Sequence, residues 1–271
     1  MKINRITAAK RVQLARNPQR PTTRDYISNL FDDFLKMSGD RCYGDDKSII
    51  GGIGSFHGCP VTVIGHQKGR SLEENIEYRF GMPNPEGYRK SRRLMEQAEK
   101  FGRPVITFVD TPGAYPGMEA EERGQGEAIA RSIEVMSRLK VPTIAVFIGE
   151  GGSGGALALA VADKSIMLEN SIFSILSPEG FASILWKDAG RWKEAAEVMK
   201  LTAEDLKELG ICDVVIPETT AGAHAAEEYI FDAVDREVLE ALKPLMKESG
   251  RELAKNRYKK LRNVGKINGR N

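Results

Sequence analysis

The chain has 271 residues, 41% of them hydrophobic and 29% charged, with a formal net charge of +2. That composition suits a globular protein with one large core or two smaller ones, and it is not that of a disordered or low-complexity chain. The near-neutral total does not indicate nucleic acid, and no apolar run reaches the ~18 residues of a membrane-spanning helix.

The charge is uneven. Residues 1–20 hold six Lys/Arg and no acid, and residues 251–271 hold eight Lys/Arg against Glu252 alone. Both ends read as solvated termini or as surfaces for an acidic partner. The three cysteines, Cys42, Cys59 and Cys212, are odd in number and too widely spaced for a CxxC pair. This favours a reducing compartment over a disulfide framework or structural zinc, so no metal is expected. The N-terminus lacks the apolar segment of a secretory signal and runs directly into a helix, so a cytoplasmic location is expected.

In chain order, a basic helix is predicted to about Asn17, where Pro18 and Pro21 break it. "TTRDYISNLFDDFLKMSG" predicts a second helix, capped by Thr23, with an apolar stripe at Ile27, Leu30, Phe31 and Leu35. "SIIGGIGSFHGCPVTVIGHQKG" is β-branched and punctuated by glycine, which predicts two short strands around a turn at 57–60. "NPEGYRKSRRLMEQAEKFG" predicts a helix ending at Gly102, "RPVITFVD" a buried strand, "TPGAYPG" a loop and "EERGQGEAIARSIEVMSRLK" another helix. "VPTIAVFI" predicts a strand that feeds a glycine-rich turn, and the Ala-rich "ALALAVAD" predicts the helix after it. "KSIMLENSIFSIL" predicts short strands, "SPEG" opens a helical run to about Gly210, "ICDVVIPE" is a last strand, and charged helices follow. The repeated β–loop–α order predicts an α/β fold with a largely parallel sheet and outer helices, its ligands held by the loops after the strands. Three segments are expected: an N-terminal helical arm over 1–40, a main domain over 41–245, and a basic helical tail over 246–271.

The stretch "FIGEGGSGGALALA" fits several motifs. Gly149, Gly151 and Gly154 satisfy G-x-G-x-x-G, and Glu169 lies where an acid could hold a ribose; a dinucleotide-binding oxidoreductase is therefore the alternative function. Gly151, Ser153 and Gly155 satisfy G-x-S-x-G, with Ser153 as nucleophile. That serine needs a base, but His57 and His66 lie in or beside strands and His224 in a surface-type loop. A phosphate P-loop fails, because Gly154-Gly155-Ala156 stands where Gly-Lys-Ser/Thr is required. The third reading uses backbone alone: glycines let the chain approach a ligand closely, and a helix N-terminus then offers free N–H groups to an oxyanion. "DTPGAYPG" supplies a second wall, with Asp110 capping loop N–H groups. Lys68 and Arg70 of "GHQKGR" follow a strand and suit a carboxylate or a phosphate. Arg79, Arg89 and Lys90 flank the "GMPNPEG" turn, and Ser177 and Glu179 of "SPEG" start a helix.

The blocks "GHQKGR", "GMPNPEGYRK", "DTPGAYPG", "EERGQGEAIA", "GEGGSGGALA", "SPEGFASILWK" and "AGAH" stand in one order. In these the chain resembles the α subunits of the carboxyltransferase of multisubunit acetyl-CoA carboxylase, from about residue 14 to 217 and less specifically beyond. The resemblance implies the crotonase (ClpP-like) superfamily fold, a ββα spiral with outer helices, in which a glycine turn forms an oxyanion hole. It implies transfer of a carboxyl group from carboxybiotin, borne by a biotin carboxyl carrier protein that biotin carboxylase charges, to acetyl-CoA at an α/β interface. The product is malonyl-CoA for fatty-acid synthesis. Because biotin itself serves as the base, the protein's part is placement and oxyanion stabilisation.

On this resemblance the Gly154 and Gly155 N–H groups are the biotin-side donors, and Gly151, Gly152 and Ser153 shape the turn. Gly113, Ala114, Tyr115 and Gly117 form the opposite wall, with Tyr115 against the ureido ring, and Lys68 and Arg70 complete the binding set. The implied partner is a β subunit with a four-cysteine zinc ribbon, in an α2β2 assembly; this chain has no such ligand set. Many members carry a further N-terminal helical segment, whose contacts here fall to residues 1–20 or are missing. Ala221 replaces a glycine often found before the histidine, so His224 is given no role.

Overall fold

The structure, a computed structural model, describes residues 6–266; expectations for the outermost basic residues, in 1–5 and 267–271, lie outside the described residues. In chain order it contains α1 (Ala8–Ala15), α2 (Thr23–Leu30), β1 (Asp32–Lys36), β2 (Ile49–Phe56), β3 (Cys59–His66), α3 (Leu72–Glu77) and α4 (Pro85–Phe101). Then come β4 (Val105–Thr111), α5 (Met118–Glu122), α6 (Gln125–Arg138), β5 (Thr143–Gly152), α7 (Ser153–Leu157), β6 (Lys164–Leu168) and β7 (Ile172–Ser174). The last elements are α8 (Pro178–Trp186), α9 (Trp192–Val198), α10 (Ala203–Glu208), β8 (Val214–Ile216), α11 (Glu227–Leu245) and α12 (Gly250–Asn263).

The strands form one sheet in the order β1-β2-β3-β4-β5-β6-β8, with β7 pairing the end of β5. β1, β2 and β3 run antiparallel, and from β3 through β8 every pairing is parallel. Alternate residues of the central strands enter opposite cores. Ile106, Phe108, Ile144, Val146 and Ile148 pack toward α2 and α11, whereas Val105, Val109, Ala145 and Phe147 pack toward α4 and α6. Burial on both faces is what a parallel sheet with outer helices requires.

Several predicted elements change. The second helix stops at Leu30, and Phe31 takes an extended conformation, φ −127° and ψ 132°. Residues 32–36 become an edge strand instead of the expected helix. The glycines of β2 make this possible: a Cβ at Gly52 would collide with the Leu35 carbonyl and the Phe34 ring, so β1 crosses where no side chain stands. Phe31 reaches the core against Phe56 and Phe108, while Leu35 of the expected stripe is 66% exposed. The helix expected over "ALALAVAD" instead begins at Ser153 and ends at Leu157; Leu159 and Ala160 make only i−3 bonds, and Thr107 Oγ1 takes the Leu159 carbonyl at 2.6 Å. The helix from "EERGQGEAIA" divides at Gly124, whose φ is +80°, and the run from "SPEG" divides into α8, a short turn of helix, α9 and α10.

Parts of the expected arm and tail are built into the fold. β1, from the expected arm, joins the sheet, and α12, from the expected tail, buries Arg257 against Asp163.

Candidate active site

β3, β4 and β5 are parallel neighbours, so their carboxyl ends bring three loops to one edge: the one after His66, the one after Thr111, and the turn at 152–155. β5 continues through Gly152, and α7 starts at once with Ser153 in the left-handed region, φ +49°. The first-turn N–H groups of Gly154 and Gly155 have no intrahelical carbonyl to reach and point out of the helix start.

The glycines are required by the loop that faces them. A Cβ on Gly152 would collide with the Pro112 carbonyl, and one on Gly155 would stand 2.8 Å from both Ala114 N and Tyr88 Oη. Gly151 packs against Phe147 and Phe173, where a Cβ would come within 2.9 Å and 3.0 Å of their rings. At Gly113, φ +148°, an added Cβ would meet nothing within 4 Å, so that side of the loop faces open space. The facing loop is pinned: Tyr115 N donates to Pro83 O at 3.0 Å, and Gln125 Nε2 donates to Tyr115 O and Pro83 O at 2.9 Å each. Gly113 N donates to Thr111 Oγ1 at 3.0 Å. Tyr115 folds back over Gly117 of its own loop.

Beside this turn lies a chain of charges. Lys68 Nζ sits 2.8 Å from both Asp110 Oδ1 and Glu150 Oε2. Arg16 bonds Glu150 at 2.7 Å on one side and Glu179 at 2.7 Å on the other. Asp110 Oδ1 also accepts the Glu150 N–H at 2.9 Å, so this carboxylate caps the loop backbone. Ser177 caps α8 by accepting from Gly180 N at 3.0 Å. Arg16, Asn17, Lys68, Asp110, Pro112 and Glu150 line part of a cavity of about 230 Å³. Arg70, by contrast, turns away to Asp25 at 2.9 Å, so of the two cations in "GHQKGR" only Lys68 faces the site. Arg89 and Lys90 are taken by Asp40 (2.7 Å) and Asp45 (2.5 Å). Sequence reasoning missed Arg16 and Glu150. Glu150 sat among the glycines as a visible signal, but its partner is 134 residues away.

Burial opposes charging Lys68, yet Asp110 and Glu150 hold its pKa above the ordinary value. Burial also penalises the Glu150 carboxylate, but Lys68 and Arg16 pull its pKa from 4.5 down to about 2. A group whose folded pKa lies below its unfolded value binds fewer protons when folded, so acid favours unfolding. The stability it contributes, about 3 kcal/mol, is present above pH 4.5 and is lost as the pH falls toward 2. Urea unfolding of Glu150→Gln is therefore expected to show its widest deficit against the native chain at pH 7, closing between pH 4.5 and 2. A deficit independent of pH would rule out this account.

Neither side-chain motif survives. His57 is paired with Asp235, and His224 Nε2 lies 3.3 Å from Asn17 Nδ2. His66 is fully buried, and burial together with the Lys68 charge lowers its pKa to about 3 despite the nearby Gly155 and Phe108 backbone. Ser153 has no hydrogen bond to any of them among the described residues. For the dinucleotide reading, Gly149 lies inside β5 against Asp110 and forms no turn. Glu169 is also occupied: its carboxylate bonds Arg11 at 3.1 Å and accepts Glu218 N at 2.9 Å.

A family model described as "Acetyl co-enzyme A carboxylase carboxyltransferase-like" matches residues 2–265. The chain is 56% identical over 262 residues to the acetyl-coenzyme A carboxylase carboxyl transferase subunit alpha of Geobacillus kaustophilus (strain HTA426), covering 97% of this chain and 81% of that protein. The same-named subunit of Listeria monocytogenes serotype 4b (strain CLIP80459) is 56% identical over 260 residues, with 96% and 82% covered. Among solved structures, transcarboxylase 12S with methylmalonyl-coenzyme A and methylmalonic acid bound has a TM-score of 0.69 at 18% identity, over 88% of this chain and 44% of that one. A Pseudomonas malonate decarboxylase hetero-tetramer in complex with coenzyme A has a TM-score of 0.64 at 19% identity, over 81% and 90%. At these identities the structural likeness concerns the fold alone.

Proposed function

The chain belongs to the family of acetyl-CoA carboxylase carboxyltransferase α subunits, and on that premise we propose that its glycine turn is the oxyanion-binding half of the carboxyl-transfer site. The reaction is carboxyl transfer to acetyl-CoA, giving malonyl-CoA for fatty-acid synthesis, in an enzyme that also needs a β subunit. Carboxybiotin supplies the carboxyl group and, once that has left, a basic ureido group able to take the α-proton of acetyl-CoA.

The chain's own part is electrostatic and positional. Gly154 and Gly155 N–H groups donate to the developing biotin-side oxyanion, and Gly151, Gly152 and Ser153 shape the turn that aims them. Gly113, Ala114 and Gly117 form the opposite wall, with Tyr115 packed within it. Lys68, locked between Asp110 and Glu150, braces the base of both loops and keeps no charge free for a phosphate; Arg70 is assigned no binding role. The observation that carries this reading is the fit at Gly155, where one added carbon would stand 2.8 Å from Ala114 N and from a buried hydroxyl. That close fit of backbone against backbone holds the turn rigid, and the loop beside it is open at Gly113.

The partners proposed are a zinc-ribbon β subunit in an α2β2 assembly, a biotin carboxyl carrier protein and biotin carboxylase, with acetyl-CoA at the α/β interface. The proposed location is the cytoplasm; no helix among the described residues is long and apolar enough to cross a membrane. Co-expression with the β subunit and addition of carboxylated carrier protein is expected to give avidin-sensitive malonyl-CoA formation. The α chain alone is expected to give none, because the β subunit completes the site. Full activity from the isolated chain, or none from the complex, would overturn the proposal.

A further inference from the structure

Phe80 is 46% exposed and stands in the wall of the cavity of about 230 Å³ that also borders Lys68, Asp110, Pro112 and Glu150. Its backbone is strained. Arg79 (φ +47°), Phe80 (φ +55°) and Gly81 (φ +73°) are three successive residues in the left-handed region, which disfavours large side chains but not glycine. Two hydrogen bonds hold the turn there, Gly81 N to Tyr78 O and Met82 N to Arg79 O, each at 2.9 Å. Gly81 also rests on the strand ends beneath it, since a Cβ would stand 2.7 Å from Lys68 Cγ and 3.1 Å from Asp110 O. Among the described residues, Phe80 joins none of the hydrophobic clusters that make the core. A half-exposed ring, held at a strained position and adding nothing to the core, points to a use for its outer face.

The cavity adjoins the glycine turn: Arg16, Pro112 and Glu150 line it and also line a narrow cleft along Gly151 and Gly152. Its charges are engaged with one another, Lys68 with Asp110 and Glu150, Arg16 with Glu150 and Glu179, and Arg20 with Glu218 at 2.8 Å. A phosphate or carboxylate entering here would meet two carboxylates and cations already paired, whereas an uncharged ring would find an aromatic face. Of the reactants in the proposed reaction, coenzyme A carries phosphates and the biotin bicycle is uncharged apart from its reacting end. Tyr115, expected against that ring, is folded onto Gly117 instead. We propose that Phe80 is the ring-packing residue for biotin: the bicycle lies against its outer face, with the ureido group directed toward the glycine turn. This rests on the reading of the turn as the biotin-side site. It adds a side-chain contact to a site otherwise built of backbone.

The test runs the transfer in reverse on the co-expressed α–β complex, with malonyl-CoA as carboxyl donor and free biotin as acceptor, so that acetyl-CoA and carboxybiotin form together. Phe80→Ala should raise the KM for biotin roughly 10-fold, with kcat at saturating biotin and the KM for malonyl-CoA unchanged. Phe80→Tyr keeps the ring and should keep the native KM. Phe80→Gly should lose affinity as alanine does, yet melt at the native temperature or above it, because glycine adopts φ +55° without strain. A native KM for biotin in Phe80→Ala would overturn the assignment. So would a rise confined to the KM for malonyl-CoA, which would place the ring on the coenzyme A side, or a tyrosine variant as weak as alanine. A lowered melting temperature in Phe80→Gly would make the ring structural and would also overturn it. Failure of the native complex to carboxylate biotin would sink the underlying function, a result distinct from failure of Phe80.

Discussion

Gly155→Val is expected to reduce malonyl-CoA formation by at least about 10³-fold in a complex that still assembles. The residue lies in the first turn of α7, outside the left-handed region reserved for glycine, so a side chain there is crowded but the backbone is not strained. Crowding is severe because the first atom met is main chain: Ala114 N stands 2.8 Å from the new Cβ and belongs to a loop anchored at Pro83 and Gln125. A flexible neighbour could swing away, but this loop must move as a unit, which opens the cradle and misaims its donors. A single oxyanion donor is worth about 10²–10³ in kcat, and the branched side chain also fills the volume the oxygen needs. Gly126→Ala serves as the control: nothing lies within 4 Å of its Cβ, and activity should be native. Gel filtration and malonyl-CoA production on the co-purified complexes decide the matter. Normal turnover in Gly155→Val would remove the glycine turn from the mechanism.

Arg257→Ala is expected to destabilise the chain by about 3–5 kcal/mol, read as a lower urea midpoint at pH 7. Arg257 is 1% exposed and bonds Asp163 through two nitrogens, at 3.0 Å and 2.7 Å. Its remaining donors reach the carbonyls of Met136, Leu139 and Val141 at 3.0, 2.8 and 3.2 Å, where α6 ends and the chain turns into β5. Truncation would leave the Asp163 carboxylate buried with only Thr143 for support, and several carbonyls without donors. Lysine cannot replace the planar fork that meets a carboxylate and three carbonyls together, so Arg257→Lys should lose most of the same stability. Pairing Arg257→Leu with Asp163→Asn should recover part of the loss, because no charge is then stranded. A change below 1 kcal/mol in Arg257→Ala would show that α12 is dispensable to the fold.

This second case marks a limit of sequence reading. Arg257 stands among eight Lys/Arg in the last stretch of chain, and nothing in its neighbours distinguishes it from solvated charge. The same holds for Arg16, read as part of a basic helix, whose role depends on Glu150 and Glu179. In "GHQKGR" the spacing marked both cations equally, yet the strand end turns Lys68 inward and Arg70 outward. For residues 32–36 the local pattern pointed to the wrong element. An apolar stripe at Ile27, Leu30, Phe31 and Leu35 fits a helix, but the unpaired edge of β2 offers backbone hydrogen bonds where its glycines leave room.

Sequence alone determined the alternation of strand, loop and helix, the two glycine-rich loops at strand ends, and the order of blocks that marks the family. Those features depend on periodicity, turn chemistry and glycine density within a few residues, and these survive without knowledge of the fold. Only the tertiary structure decided which glycine abuts which carbonyl and that Lys68 is locked between two carboxylates. Each of these is a contact between segments tens of residues apart. Its partner is selected by strand order and packing, and no local pattern encodes that choice.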